Sequence, residues 1–170
     1  MKKLITLFVI LTSILIGCEK ENNCEITNPE NLNFNGCFNF MVFDSVTVSD
    51  IENSYVSIQV EREELNLNSN FQSFLIQNNT HITSTVETFN KQSNDCYCSD
   101  AIDPELEKLK TWEIQAGTVE IRIVREKSEC DDTYVVDVIL KNAVYADTEN
   151  NGIFIEHKEF RNVLVNYILG

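Results

Sequence analysis

Between Thr118 and Arg125 the chain alternates: Val119, Ile121 and Ile123 fall on one side of an extended backbone, Glu120 and Arg122 on the other. Successive side chains point to opposite faces only in a strand, so this stretch buries one clean apolar face as β-structure and not as helix. Tyr134, Val136, Val138 and Leu140 repeat the pattern, and the run continues through Val144 and Tyr145. An alternation of apolar and polar positions marks strands with one face on a core and one toward water, which antiparallel sheets allow. The second half of the chain is thereby committed to a sheet.

The rest of the chain agrees with that commitment. Ile153 to Phe160 and Val163 to Leu169 read as further strands, as do Phe38–Phe43, Tyr55–Val60, Phe71–Gln77 and Ile82–Phe89. Asn35-Gly36 and Asn151-Gly152 suit tight turns between them. One segment departs: Asp103-Pro104-Glu105-Leu106 supplies an N-cap, a first-position Pro and an acid in the first turn, with Leu106 and Leu109 as a minimal stripe. This predicts a short helix near 103–112 that packs Leu109 and Trp112 against a sheet edge. The expected fold is mainly β, an antiparallel β-sandwich of about seven to eight strands with that one helix. A barrel of about eight strands, or an α+β sheet with one helix, is the alternative. Polar, Asn- and Glu-rich residues interrupted by Pro29 make 18–35 a tether, and 36–170 a single β-rich domain.

The first residues carry an address. Lys2-Lys3 precede an apolar run from Leu4 to Ile16 that falls short of the ~20 residues needed to span a bilayer. A charged start, an apolar core and a small residue before a cut meet the requirements for export and cleavage. Leu15-Ile16-Gly17-Cys18 resembles the lipobox of bacterial lipoproteins. The resemblance implies a signal peptide over 1–17 and a mature chain beginning at Cys18, which carries a diacylglycerol thioether and an amide-linked acyl chain such as palmitate. It also implies a protein held by lipid at the cell envelope, at the outer membrane, on its periplasmic or outer side. Glu19-Lys20-Glu21 resembles the surface-export signal of Bacteroidota lipoproteins without their run of consecutive acids. Both resemblances end before the folded domain begins.

Charge and cysteine content narrow the partners. The formal net charge is −14, and loss of the cationic Lys2 and Lys3 with the signal takes it to −16. Such a surface repels phosphate backbones and anionic head groups, which argues against nucleic acid and leaves the membrane to the lipid on Cys18. Apart from Cys18 there are Cys24, Cys37, Cys96, Cys98 and Cys130, an odd set for an oxidising compartment. The expected disulfides join Cys24 to Cys37 and Cys130 to Cys96 or Cys98.

Catalytic signatures are missing: the chain has no Gly-x-Ser-x-Gly, Ser-x-x-Lys or His-Glu-x-x-His. Asp147-Thr148-Glu149-Asn150-Asn151-Gly152 resembles the calcium loop of EF-hand and dockerin-like proteins, which implies calcium ligands at Asp147, Glu149 and Asn151. Lys158 stands where that loop places its bidentate acid, and an Asn-Gly turn accounts for the same residues. Cys96-Tyr97-Cys98 with His81 or His157 lacks the doubled spacing of a zinc site. Asp44-Ser45-Val46 resembles the three-residue O-glycosylation motif of Bacteroidota secreted proteins and also reads as a turn. The expected function is a lipid-anchored, non-catalytic interaction module for a protein or glycan partner. The alternatives are an acidic inhibitor or immunity-type protein that captures a basic enzyme, and a glycan-directed hydrolase or binding protein, for which the single Trp112 offers little stacking surface.

Overall fold

Residues with apolar side chains at every second position form strands here because the pleat then buries them all on one side. The computed structural model describes residues 27–37, 39–48, 51–92, 103–128 and 131–166. The expected signal peptide, Cys18, Cys24, Cys96, Cys98 and Cys130 lie outside the described residues. Eight strands occur among them: β1 (Gly36–Cys37), β2 (Met41–Ser45), β3 (Ser54–Val60), β4 (Gln72–Leu75), β5 (Ile82–Phe89), β6 (Lys108–Arg125), β7 (Thr133–Ala146) and β8 (Gly152–Asn166). All pair antiparallel in one sheet of order β1-β2-β3-β5-β6-β7-β8, with β4 added to the second half of β6. The expected β-rich antiparallel character and strand number are found. Two stacked sheets are not: one sheet curls so that its own halves face each other, and the long β6, β7 and β8 supply the curvature.

The helix expected near 103–112 is replaced by a turn and a strand. Asp103 does cap a turn, its carboxylate accepting from the Glu105 N–H at 2.9 Å and its carbonyl from the Leu106 N–H at 2.9 Å. From Lys108 onward pairing with β5 wins, because Trp112 opposite Val86 enters the core while Leu109 stays 61% exposed. A turn's local hydrogen bonds cannot outweigh burial of an indole. The one α-helix among the described residues is instead the single turn α1 (Arg62–Leu65), which buries Leu65. The two expected C-terminal strands merge into β8. Asn35-Gly36 makes no turn either. Gly36 lies in β1, where an added Cβ would stand 2.2 Å from the Leu164 carbonyl oxygen.

The core lies inside the curl, with Val56, Ile58, Val86, Val119, Ile121 and Leu140 at its centre. Phe40 meets Tyr134 edge-to-face at 5.6 Å. Tyr145 is wholly buried, and Ser84 satisfies its phenol at 2.8 Å. Since the Ser84 hydroxyl donates to the Ser57 carbonyl at 2.6 Å, its oxygen is left to accept the Tyr145 proton. Burial pushes the Tyr145 phenol well above its ordinary pKa, so it remains a neutral donor.

Curvature comes from irregularities in the long strands. The β6–β7 register shifts on both sides of Ala116, next to Gly117 at φ 145°, and the β7–β8 register shifts between Val136 and Val138. Asn162 of β8 adopts φ 50° at that second shift. Extra residues on one strand bend it and sharpen its twist. Asp137 fixes this bulge: its Oδ1 accepts the Asn162 N–H at 2.8 Å, while Oδ2 accepts from Arg122 at 2.7 and 2.9 Å and from Arg161 at 3.1 Å. Asn162 in turn offers its carbonyl to the Asn33 N–H at 2.9 Å, and the Asn33 carbonyl accepts the Leu164 N–H at 2.8 Å. That parallel bridge joins Asn33, just ahead of β1, to β8 at the other end of the sheet order.

Asp137→Ala orphans the Asn162 N–H and leaves two guanidiniums over a buried surface, and we expect a loss of at least about 2 kcal/mol in denaturant unfolding, the exposed arginines reducing the cost of a fully buried pair. Gly36→Ala drives a methyl into β8 and should cost about 1–3 kcal/mol. Gly152→Ala, whose Cβ would have its nearest contact at 3.6 Å, should change the unfolding midpoint little.

Candidate functional site

The outer face of β2, β3 and β5 is unusual for its hydroxyl and amide groups. Register dictates which residues share it: Met41 pairs with Gln59, Ser57 with Thr85, Gln59 with Thr83 and Tyr55 with Glu87. Because alternate residues face the same way, Ser57, Gln59, Thr83, Thr85 and Glu87 form one polar strip, directly behind the apolar set Val56, Ile58 and Val86. Phe89, Leu106 and Met41 wall a groove over the strip of about 430 Å3. This falls in the range typical of small-molecule sites.

The strip's polar atoms are only partly used. Ser57 and Thr85 hydroxyls share one hydrogen bond of 3.0 Å, so one of their two protons is left over. The side chains of Gln59 and Thr83 have no hydrogen-bond partner among the described residues. Glu87, with only 9% of its side chain exposed, is bound through Oε1 by the Lys108 ammonium. The pair is close to electrically neutral, and Oε2 remains open to a further donor. Phe89 is held against Tyr55 edge-to-face at 6.0 Å. A preformed groove of neutral donors and acceptors with apolar walls can bind and orient an uncharged polar ligand.

The residues singled out in the sequence lie elsewhere. Asp147, Glu149 and Asn151 do converge in the β7–β8 turn, where Asn150 takes φ 63°. There Asp147 Oδ1 accepts the Glu149 and Asn151 N–H groups at 2.9 and 2.8 Å, and Oδ2 accepts the Asn151 amide at 2.9 Å and Lys110 at 2.5 Å. Both oxygens are thus taken by donors of the turn, with Lys110 of β6 added on Oδ2, the arrangement of an Asx-stabilised hairpin. Among the described residues no three His, Cys, Asp or Glu side chains group as a metal site. His81 pairs with Glu61 at 2.8 Å and His157 with Glu159 at 2.9 Å, on separate parts of the surface. Cys37 is buried in β1. Trp112 is 3% exposed in the core beneath Lys110 at 4.9 Å, and so offers no face to a ligand. Asp44, next to last in β2, reaches Lys158 of β8 at 2.7 Å.

Sequence reasoning missed the groove because Ser, Thr and Gln on alternating positions look like any solvated strand face. The available signal was their register across β3 and β5, which pairing alone reveals. No protein-family model, curated protein or solved structure matches this chain.

Two carboxylates make stability sensitive to acid. Lys110 first, then the Asn151 amide, hold Asp147 well below the ordinary carboxylate pKa. Arg161 first, then His157, draw Glu159 down from 4.5 to about 2. Depressed folded-state values mean that the stabilisation is present above the unfolded pKa and is lost as pH falls through the folded one. The unfolding midpoint should therefore decline as pH drops from about 4.5 toward 2, and more shallowly in Asp147→Asn. An identical decline in the variant would show that the Lys110 pair contributes nothing.

Proposed function

We propose that this chain is a lipid-anchored exported binding protein, with the lipid on Cys18, residues 18–35 as the tether and the curled sheet as a non-catalytic module at the cell envelope, on the outer membrane. The observation that carries the binding half is the groove of uncharged polar groups on β3 and β5. Its single carboxylate, Glu87, is bound to Lys108. Hydrolysis of a glycosidic bond by the usual route needs two carboxyl groups some 5–9 Å apart, one of them free to act as an acid. Binding suits this lining better than hydrolysis.

The anchor half is supported by Lys2-Lys3, the apolar run from Leu4 to Ile16 and Leu15-Ile16-Gly17-Cys18. A net charge of −14, or −16 once Lys2 and Lys3 leave with the signal, also keeps a tethered domain off an anionic membrane surface. The Cys24–Cys37 bridge belongs to the same reading: Cys37 is buried in β1 and engaged, not free. Such a bridge would fasten the tether to the strand beside β8.

Metabolic labelling with radioactive palmitate tests the anchor. The wild-type chain should take up label and sediment with membranes, and Cys18→Ala should do neither. Equal label in both would sink the proposal.

A further inference from the structure

We infer that the groove on the outer face of β2, β3 and β5 is a binding site for a neutral sugar ring. This assignment rests on the binding-protein reading and names the ligand class of that same site.

Four properties of the groove select this chemistry. First, donors and acceptors are mixed: the Gln59 amide offers both, the Ser57–Thr85 pair has one proton left, the Thr83 hydroxyl is unpartnered and the open Glu87 oxygen accepts. A ligand that satisfies them must itself carry several groups that both donate and accept, which is the signature of vicinal hydroxyls. Second, the groups are fixed by pairing. Ser57 lies opposite Thr85 and Gln59 opposite Thr83, so their side chains stand about 5 Å apart on a rigid sheet, a spacing that adjacent substituents of a pyranose can bridge. Third, Met41, Phe89 and Leu106 provide apolar walls for the C–H faces of a ring. Fourth, the site has no unpaired charge to attract an ion, because Glu87 and Lys108 neutralise each other. The acidity of the whole chain repels anionic ligands such as sulfated or phosphorylated sugars.

A volume of about 430 Å3 admits one or two rings. With Trp112 in the core and Phe89 edge-packed on Tyr55, no aromatic plate lies flat beneath the ligand. Affinity therefore depends on hydrogen bonds that replace those to water, and a weak site is expected.

The test uses the full chain in a phosphocholine detergent, which carries no sugar of its own. Saturation-transfer NMR is recorded with methyl glucoside, methyl galactoside, methyl mannoside and N-acetylglucosamine, and with glucose 6-sulfate as the anionic comparator. At least one neutral sugar should receive transfer, with the sulfated one receiving none. Gln59→Leu with Thr83→Val should weaken that binding by roughly tenfold while leaving the melting temperature unchanged, since neither side chain holds the fold together. Silence from every neutral sugar at tens of millimolar, equal transfer to the sulfated sugar, or undiminished binding by the double variant would each overturn the assignment. Palmitate labelling reads Cys18 alone, so loss of the sugar site and loss of the anchor are separate results.

Discussion

Asp137 is the residue on which the curl depends. It stands on the outer face of β7, 2% exposed, and its two oxygens serve different ends. One holds the Asn162 N–H in a bulge; the other gathers Arg122 and Arg161, which also stack on Phe71 at 4.7 and 5.4 Å. A buried carboxylate is tolerable only when hydrogen-bonded and charge-balanced, and here both conditions are met by groups on the two neighbouring strands, β6 and β8. The bulge presents the Asn162 carbonyl to Asn33.

Curling has a consequence for the two faces. On the inside, opposite halves of one sheet bring Val56, Val119 and Val136 into a common core. The outside is mixed: Val135 and Ile139 are buried on either side of Asp137 in β7, whereas β3 and β5 present the polar strip there. Ser57 and Glu87 are nonetheless buried on that outer side, at 6% and 7% exposure. Hydroxyls and a paired carboxylate held out of water on a rigid surface are preorganised, which lowers the entropy lost on binding.

How much of this was legible in the sequence follows from which forces are local. Alternation through Val119, Ile121 and Ile123, and from Tyr134 to Leu140, exposed β6 and β7 because pleat and core act residue by residue. The 103–112 segment misled because Asp103-Pro104 is a true turn signal, and nothing near it reveals that Trp112 will pair opposite Val86. Gly36 misled for the opposite reason: Asn-Gly favours a turn locally, yet the contact that requires glycine comes from Leu164, far along the chain. A single sheet and a sandwich share the same alternation, so only long-range pairing and the bulges at Gly117 and Asn162 separate them. The groove is hidden in the same way. Its residues are ordinary in sequence and become a site only in register.

The joint at Asn33 also decides how a tethered domain bears load. On the lipid-anchored reading, any pull on the membrane side enters from the N-terminal side and meets the Asn33–β8 hydrogen bonds early. Two backbone bonds and an exposed Asn162–Glu30 contact at 3.1 Å are a weak clasp by themselves. Behind them Gly36 is pressed into β8 and Cys37 is buried between that strand and β2. A covalent bridge from Cys24 to Cys37 would carry the load past the clasp into the paired strands, so that Asp137 and its bulge stay in place while the anchor moves. The groove, built on β2, β3 and β5, meets that edge at Met41, the register partner of Cys37.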